Sequence, residues 1–456
     1  MACIWVRQYA KDKSTVDIGR VRHPIADVRV GQSAVQVGAK TGLTNAARGK
    51  TEVEQCIDAR GIVDSRVVKV ANRFAARWAG RWAGGGGVQA AVGVWPLVAL
   101  LADAAKEPGR AELAGALGVG AGDAMAAARE VLGILESSKG VTAALGLWTK
   151  AGLPVSRVWL ERVPVGMAMA LDADVGVSRE RLDEWARTYT GGLIDRMPVG
   201  VAREDLLVLA SALLLRTDWV QPFSESVMTA IEDGPWRGKQ RLDALWRTSN
   251  DLDSVGVART AAGELTAARV VGEHEIDVVL VLGEQDASAA EVLEHGVRLV
   301  AGEYKALPGS RFTDDFPGPG LARRLTESAV PGDQLALQLP VFTVRSTLDL
   351  LESPDVFGLT AVLDGRRGHF PGICSKALAV SRGAQDVAAS FTAKGFDAAA
   401  VTSSALRAGG GAERPYRVRE TAFVLDRPFG FVAQHRTSGL ILLAGWVQDP
   451  GPGSNS

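Results

Sequence analysis

The chain has 456 residues, 47% of them hydrophobic and 23% charged, with a formal net charge of −1. That length could hold about three average domains or one large one, and the near-neutral balance argues against electrostatic attraction to nucleic acid or to an acidic membrane surface. Three cysteines, Cys3, Cys56 and Cys374, supply neither a disulfide framework nor a CxxC zinc pattern.

No apolar run reaches the roughly 18 residues of a membrane span. The segment Met1–Arg7 lacks the long apolar core of a signal peptide, so no export address is visible. Residues 1–64 scatter Val, Gly, Thr and charge without a sustained period of 2 or 3.6. They are expected to form a poorly ordered extension or to be translated sequence upstream of the real start, with a small separate module as the alternative.

From Asp64-Ser65 the pattern sharpens. Either residue can cap a helix with Val67, Val70, Phe74 and Trp78 on one face, ended by the glycine run Gly84–Gly87. Val92 to Leu101 reads as a buried helix, and Ala111 to Gly118 as a short one after the turn Glu107-Pro108-Gly109. The stretch Gly118-Val119-Gly120-Ala121-Gly122 follows a helix rather than a strand, so it is an inter-helix loop and not a dinucleotide cradle. Ala144–Trp148 is a short apolar strand. Leu206–Leu215 is apolar almost throughout, as a strand buried on both faces should be. It leads into Asp218-Trp219-Val220-Gln221-Pro222-Phe223.

Further on, Pro340 opens a strand through Phe342 and Val344, and Ser346-Thr347 can cap a helix after it. Leu378 to Phe391 reads as a half-buried strand. The stretch from Lys394 to Gly410 then breaks every regular pattern: it opens on Gly395, passes Asp397, runs through small residues and ends on Gly409-Gly410. Downstream, segments around Phe423–Val432 and Gly439–Trp446 read as two strands joined by the turn Arg436-Thr437-Ser438-Gly439.

Taken together, these residues resemble the serpins. Lys394-Gly395, the small-residue run, Asp426-Arg427-Pro428-Phe429-Gly430-Phe431 and the final strand ending Gly445-Trp446-Val447-Gln448-Asp449-Pro450 are similar to that family's carboxyl end. Leu182-Asp183-Glu184-Trp185, Thr190-Gly191-Gly192-Leu193-Ile194, Trp219-Val220-Gln221-Pro222-Phe223 and Phe370-Pro371-Gly372-Ile373 fall on its internal motifs. So does Leu339 to Leu350, with Pro340, Phe342, Ser346, Thr347, Asp349 and Leu350 in place. The order is intact from Val67 to Pro450, and the chain is identified as a divergent, bacterial-type member.

The resemblance implies a mixed α/β (α+β) serpin fold over residues 65–450, with a tail at 451–456. A large central sheet, surrounding helices and an exposed reactive centre loop near the carboxyl end are expected. It implies inhibition of a serine protease as a suicide substrate: the loop is cleaved, the protease is held as an acyl-enzyme, and the loop inserts into the sheet. No catalytic turnover, no cofactor, no metal, no nucleic acid and no membrane partner are expected; the chain should be a monomer that meets a target serine protease. The family is extracellular by habit, and the missing signal peptide makes the cytoplasm the alternative.

The hinge of the loop would be Gly395, Phe396, Asp397, Ala398, Ala399 and Ala400, and the sheet would open beside Ser211, Trp219 and Gln385. Ser211 and Gln385 stand where the family usually places Asn and His, and both can still hydrogen-bond. Phe396 stands where inhibitory members prefer Thr or Ser. On an inserted strand Phe396, Ala398, Ala400, Thr402, Ser404 and Leu406 share a face. A phenylalanine forced inward without a matching cavity costs typically about 1–3 kcal/mol, so either insertion is slowed, which favours a non-inhibitory binding, storage or folding-assistance role, or the interior has adapted to the ring.

Counting forward from Gly395 by the family's loop length puts the scissile bond near Gly409-Gly410, and counting back from Pro428 puts it near Arg417. Arg414 is blocked by Pro415. Arg407-Ala408 offers a cation close to the forward count and is the chosen bond. An enzyme reading has no support among the five histidines, and no Gly-x-Ser-x-Gly, HExxH or Walker pattern occurs. His369 reads as a turn or packing residue and His274 as one on a solvated strand edge.

Overall fold

The computed structural model describes residues 65–451 apart from 190–191, 193–195, 198–199, 230–233, 238, 240, 315–317 and 398–414. The expected extension 1–64, most of the Thr190–Ile194 motif, Ala398, Ala399, Ala400, Arg407 and Ala408 lie outside the described residues.

Ser65 caps α1 (Arg66–Ala79), its hydroxyl accepting from the Val68 N–H, and Val70, Phe74 and Trp78 enter the core. The helix stops at Ala79, and the glycine run instead leads into β1 (Gly87–Gln89). Next, α2 (Ala91–Ala104) is buried almost all round, as its uninterrupted apolar sequence demands. It packs against α4 (Ala124–Ser137), and α3 (Gly109–Leu117) lies beside it. Gly118 closes α3 in the left-handed region, φ +73°.

The middle of the chain gives β2 (Val141–Thr149), α5 (Arg157–Arg162), β3 (Ala168–Ala170), α6 (Val175–Tyr189), β4 (Leu207–Leu215) and β5 (Thr217–Asp218). It continues through β6 (Ser224–Met228), β7 (Leu242–Ser249), β8 (Val255–Thr260), β9 (Gly263–Val271), β10 (Ile276–Leu282) and α7 (Ala289–Val300). There follow β11 (Leu307–Pro308), β12 (Leu321–Ser328), β13 (Gln334–Pro340), β14 (Phe342–Asp349) and α8 (Pro354–Phe357). The chain closes on β15 (Arg382–Phe391), β16 (Gly395–Asp397), β17 (Tyr416–Val424), β18 (Phe429–His435) and β19 (Ile441–Val447).

Three sheets result among the described residues. The central sheet runs β3-β2-β4-β15-β16-β5, with β14 on the other edge of β15. A second sheet runs β1-β19-β18-β10-β9-β8-β11 and a third β12-β17-β13-β7-β6. Between the first two lies α2, which touches β2, β4 and β19. The expected mixed architecture is therefore present, and no helix among the described residues is long and apolar enough to cross a membrane.

Three local expectations are corrected. Pro340 closes β13 rather than opening a strand, because Val341 alone separates it from Phe342 at the head of β14. Ser346 and Thr347 stay inside β14: the Ser346 hydroxyl accepts the Val88 N–H at 2.8 Å, and Asp349 caps the turn after it through the Leu351 N–H at 2.8 Å. His274 is exposed in the β9–β10 turn with φ +55°, rather than on a strand edge. His369 is a packing residue, its Nε2 3.0 Å from the Asp364 carbonyl.

Asn72 ties the first helix to the last hairpin. Its Nδ2 donates to the Gly439 carbonyl at 2.8 Å and its Oδ1 accepts the Ile441 N–H at 2.9 Å, all of it buried. Asn72→Ala leaves the Ile441 N–H unpaired, while the Gly439 carbonyl keeps its hydrogen bond from Gln434 Nε2 at 3.1 Å, so stability should fall by about 1–3 kcal/mol. Urea unfolding reads this directly, and an unchanged midpoint contradicts it.

Candidate functional site

The site is the place where one side of β15 changes partner. Arg382–Val387 pair in parallel with Val208–Leu213 of β4, while Phe391 and Ser390 pair antiparallel with Phe396 and Asp397 of β16. β4 ends at Leu215, and β5 carries the chain away, opening a wedge that β16 fills: Gly395 faces Asp218 and Phe396 faces Thr217. The first residues of the expected hinge are thus already a strand of the central sheet.

The turn from Phe391 to Gly395 is held by the segment that begins at Trp219. Its N–H donates to the Lys394 carbonyl at 2.8 Å, its Nε1 donates to the Thr392 carbonyl at 2.9 Å, and the Phe223 N–H donates to the Ala393 carbonyl at 2.8 Å. The Thr392 hydroxyl accepts the Gly395 N–H at 3.2 Å. A methyl group at Gly395 would overlap the Thr217 carbonyl oxygen and lie 3.0 Å from the Asp218 Cα. Backbone approaches backbone too closely there for any side chain.

Phe396 is wholly buried. Its ring lies 6.4 Å from those of Trp219 and Phe391 and 5.9 Å from that of Phe431, centroid to centroid, and Trp219 stacks tilted on Phe391 at 4.5 Å. Phe431 belongs to the second sheet, so the cluster spans both. Of the two outcomes left open for this side chain, the packing at this seat corresponds to an adapted interior, with the ring buried among Trp219, Phe391 and Phe431.

Below the wedge, Ser211 and Gln385 are register partners across the β4–β15 seam. Gln385 Nε2 donates to the Ser211 hydroxyl at 3.2 Å and to the Ala90 carbonyl at 2.8 Å, and its Oε1 accepts the Ala90 N–H at 2.8 Å. Both residues are fully buried, so every strong group on the Gln385 amide is used where leaving one unpaired is costly. At the far end of the seam Arg382 Nε donates to Asp205 Oδ2 at 2.7 Å, and the Ser381 hydroxyl accepts the Leu206 N–H at 2.8 Å.

On its other side β5 rests on the β9–β10 turn. The Thr217 hydroxyl donates to the Glu273 carbonyl at 2.6 Å, and the Glu273 N–H donates to the Asp218 carbonyl at 2.8 Å. Arg436 fixes that turn by donating to Asp277 at 2.6 and 3.1 Å and to the Gly272 carbonyl at 2.6 Å; its hydrogen bonds to Asp277 raise its pKa. Next to it, burial lowers the pKa of His435 even though Glu275 lies 3.3 Å from its Nε2. Among the described residues no group of three or more His, Cys, Asp or Glu is placed to hold a metal ion.

Of the residues singled out from sequence, Gly395, Phe396, Trp219, Ser211 and Gln385 all lie along this one seam, and Asp397 joins β16 through its backbone. Sequence reasoning quoted Phe223, Phe391 and Phe431 within motifs and strands without giving them a role here, and it passed over Thr217, Asp205 and Arg382. The aromatic ones carried a signal, being large apolar side chains beside strand ends; Asp205 and Arg382 carried none.

A family model described as Serpin (serine protease inhibitor) matches residues 321–450. Plasminogen activator inhibitor 1 of Sus scrofa is 25% identical over 285 residues, covering 59% of this chain and 61% of that protein. Glia-derived nexin of Rattus norvegicus is 32% identical over 118 residues, 26% of this chain and 28% of the relative. The chain thus spans less than two thirds of the length of these curated relatives. Among solved structures, a serpin from the trematode Schistosoma haematobium has a TM-score of 0.61 at 15% identity, covering 84% of this chain and 99% of that one. Native protease nexin-1 with heparin has 0.62 at 16%, covering 84% and 98%. The fold is that of the serpins. Family model, relatives and structural neighbours together support the serpin family for this chain, and they lend nothing to the bacterial-type expectation.

Two outcomes follow from the geometry. Phe396→Thr empties a seat worth about 3 kcal/mol, so amide exchange at residues 395–397 should rise about a hundred-fold; unchanged exchange means that Phe396 does not hold the hinge. Because the folded pKa of His435 is depressed, its contribution is intact above the ordinary value of 6.5 and is lost as pH falls through the folded value. The drop in melting temperature between pH 7 and pH 5 should shrink in His435→Gln, and an equal drop in both proteins contradicts this.

Proposed function

We propose that this chain inhibits a serine protease as a suicide substrate. The protease's serine oxygen attacks the carbonyl of Arg407, the Arg407–Ala408 bond breaks, Ala408 leaves with a new amino group, and Arg407 remains esterified to the enzyme. The freed strand then continues β16 down the seam, separating β4 from β15 and carrying the esterified protease with it. Hydrolysis fails because the protease's own site is distorted before water can act.

The observation that carries this reading is the wedge: a strand already started between two strands that are paired in parallel below it. The alanines at 398 and 400 suit a strand that must slide into a packed interior. The relatives named as inhibitors support the same class of function.

Register supports the choice of bond. Since Ser390 faces Asp397, one step along β16 is one step back along β15, and the first residue of β15, Arg382, falls opposite position 405. Counting down from the Phe396–Thr217 pair, the first residue of β4, Leu207, falls opposite position 406. A strand filling the slot is complete at Leu406, and the ester on Arg407 sits just past its end.

Incubation with trypsin-like and subtilisin-like proteases, followed by denaturing electrophoresis, should give with the trypsin-like enzyme a band at the summed mass less the 49 residues 408–456. The released peptide should begin at Ala408; a start at Val418 refutes the bond. Ala398→Arg buries an unpaired charge costing several kcal/mol, so the band should vanish while cleavage persists. Retention of the band in that variant sinks the insertion mechanism. Cleavage of the parent chain without complex or gain in heat resistance would point instead to a non-inhibitory binding, storage or folding-assistance protein.

A further inference from the structure

The loop is tethered at both ends: β16 starts it in the central sheet, and β17 ends it in the third sheet. We infer that β12 is a strap that keeps β17 in place, so that the loop enters the central sheet only after it has been cut. This rests on the insertion reading above.

β12 pairs with β17 along its whole length, from Leu321 opposite Phe423 to Ser328 opposite Tyr416. β13 reaches only Glu420 to Val424. Among the described residues, Tyr416, Arg417, Val418 and Arg419 therefore have β12 as their one strand partner. These four are the residues that an uncut loop would peel away first.

Side chains reinforce the strap. Arg324 Nη2 lies 2.6 Å from Glu420 Oε1, whose side chain is almost wholly buried. Arg323 donates to the Phe312 carbonyl at 2.7 Å and lies 3.1 Å from Asp314. Asp333 accepts the Arg419 N–H at 3.3 Å. β12 itself buries little, with Leu325 65% exposed, so it contributes pairing rather than core.

Reach makes the strap matter. If an uncut loop filled the slot to position 405, the ten residues 406–415 would remain, spanning at most about 33–36 Å. The way back along the strands is roughly 27 Å from the level of Arg382 to that of Ser390, and roughly 20 Å more along β13 from Pro340 to Gln334. The shortfall of about 11–14 Å corresponds to three or four residues, and β12 alone holds four.

Two single variants test this with an internal control. In an antiparallel pair, neighbouring residues alternate in sending their N–H to the partner strand and away from it. Leu325→Pro and Thr326→Pro therefore remove, between them, one strap hydrogen bond and one edge group. Each protein is held at moderate heat without protease, and the uncut fraction, identified by intact mass, is assayed for gained heat resistance. One variant should convert at least ten-fold faster than the parent, and the other at the parent's rate. If neither converts faster while the cleaved parent gains heat resistance, the strap is refuted and the insertion reading stands. If the cleaved parent gains none, the insertion reading falls and the strap with it. Should a variant not fold, amide exchange in the unaltered protein decides: protection at Val418, whose neighbour Arg419 sends its N–H to Asp333 instead, should match that at Leu335 and Leu337 of β13, and edge-like exchange at Val418 overturns the proposal.

Discussion

One side of β15 has to satisfy its backbone twice, first against β4 and then against β16, and the rest of the molecule is arranged around that change of partner. A buried strand cannot leave a row of N–H and C=O groups unpaired. Where β4 turns away at Arg216, something must therefore take its place. The hinge does so, and this is why a segment expected to lie in an exposed loop is instead locked to two strands and an aromatic cluster.

The grip on that hinge is distributed over all three sheets. Trp219 and Phe223 take the carbonyls of the hinge turn as the chain passes from the central sheet into β6 of the third. Phe431 brings the second sheet against Phe396. The β9–β10 turn, fixed by Arg436 and Asp277, props β5 from behind. Each contact is ordinary, worth about a kcal/mol net. Together they make the top of the seam rigid, while the seam itself is a short parallel pairing with one buried amide, Gln385, at its middle and the Asp205–Arg382 pair at its foot.

On the proposed insertion reading, that contrast suits a sheet that opens in one place. On β4 and β15 the residues facing α6 are small, Ala210, Ala212 and Ala384, while on the β2 side Trp148 and Trp185 pack edge to face at 6.0 Å in the same cluster. β12 has the opposite character. It buries little yet pairs with β17 along its whole length, which on the proposed insertion reading fixes one end of the loop.

Much of this was legible in the sequence because it depends on local chemistry. Ser65 as a cap, the all-apolar α2, the doubly buried β4 and Gly395 before a run of small residues each state a requirement that neighbouring residues satisfy. The motifs from Leu339 to Leu350 and from Asp426 to Pro450 fixed the family resemblance in the same way, although Ser346 turned out to serve a strand and not a cap. What tertiary structure alone decided was which distant groups meet. Whether Phe396 overpacks or fits depends on Phe391 across the hinge turn and on Trp219 and Phe431, which lie far from it in sequence or on another sheet. No periodicity marks Asp205 as the partner of Arg382, since a single hydrogen-bonded carboxylate looks like any surface acid until the chain brings the cation to it. The pairing of β12 with β17 was equally invisible, because strand register across nearly a hundred residues is set by the assembled sheet and not by either strand.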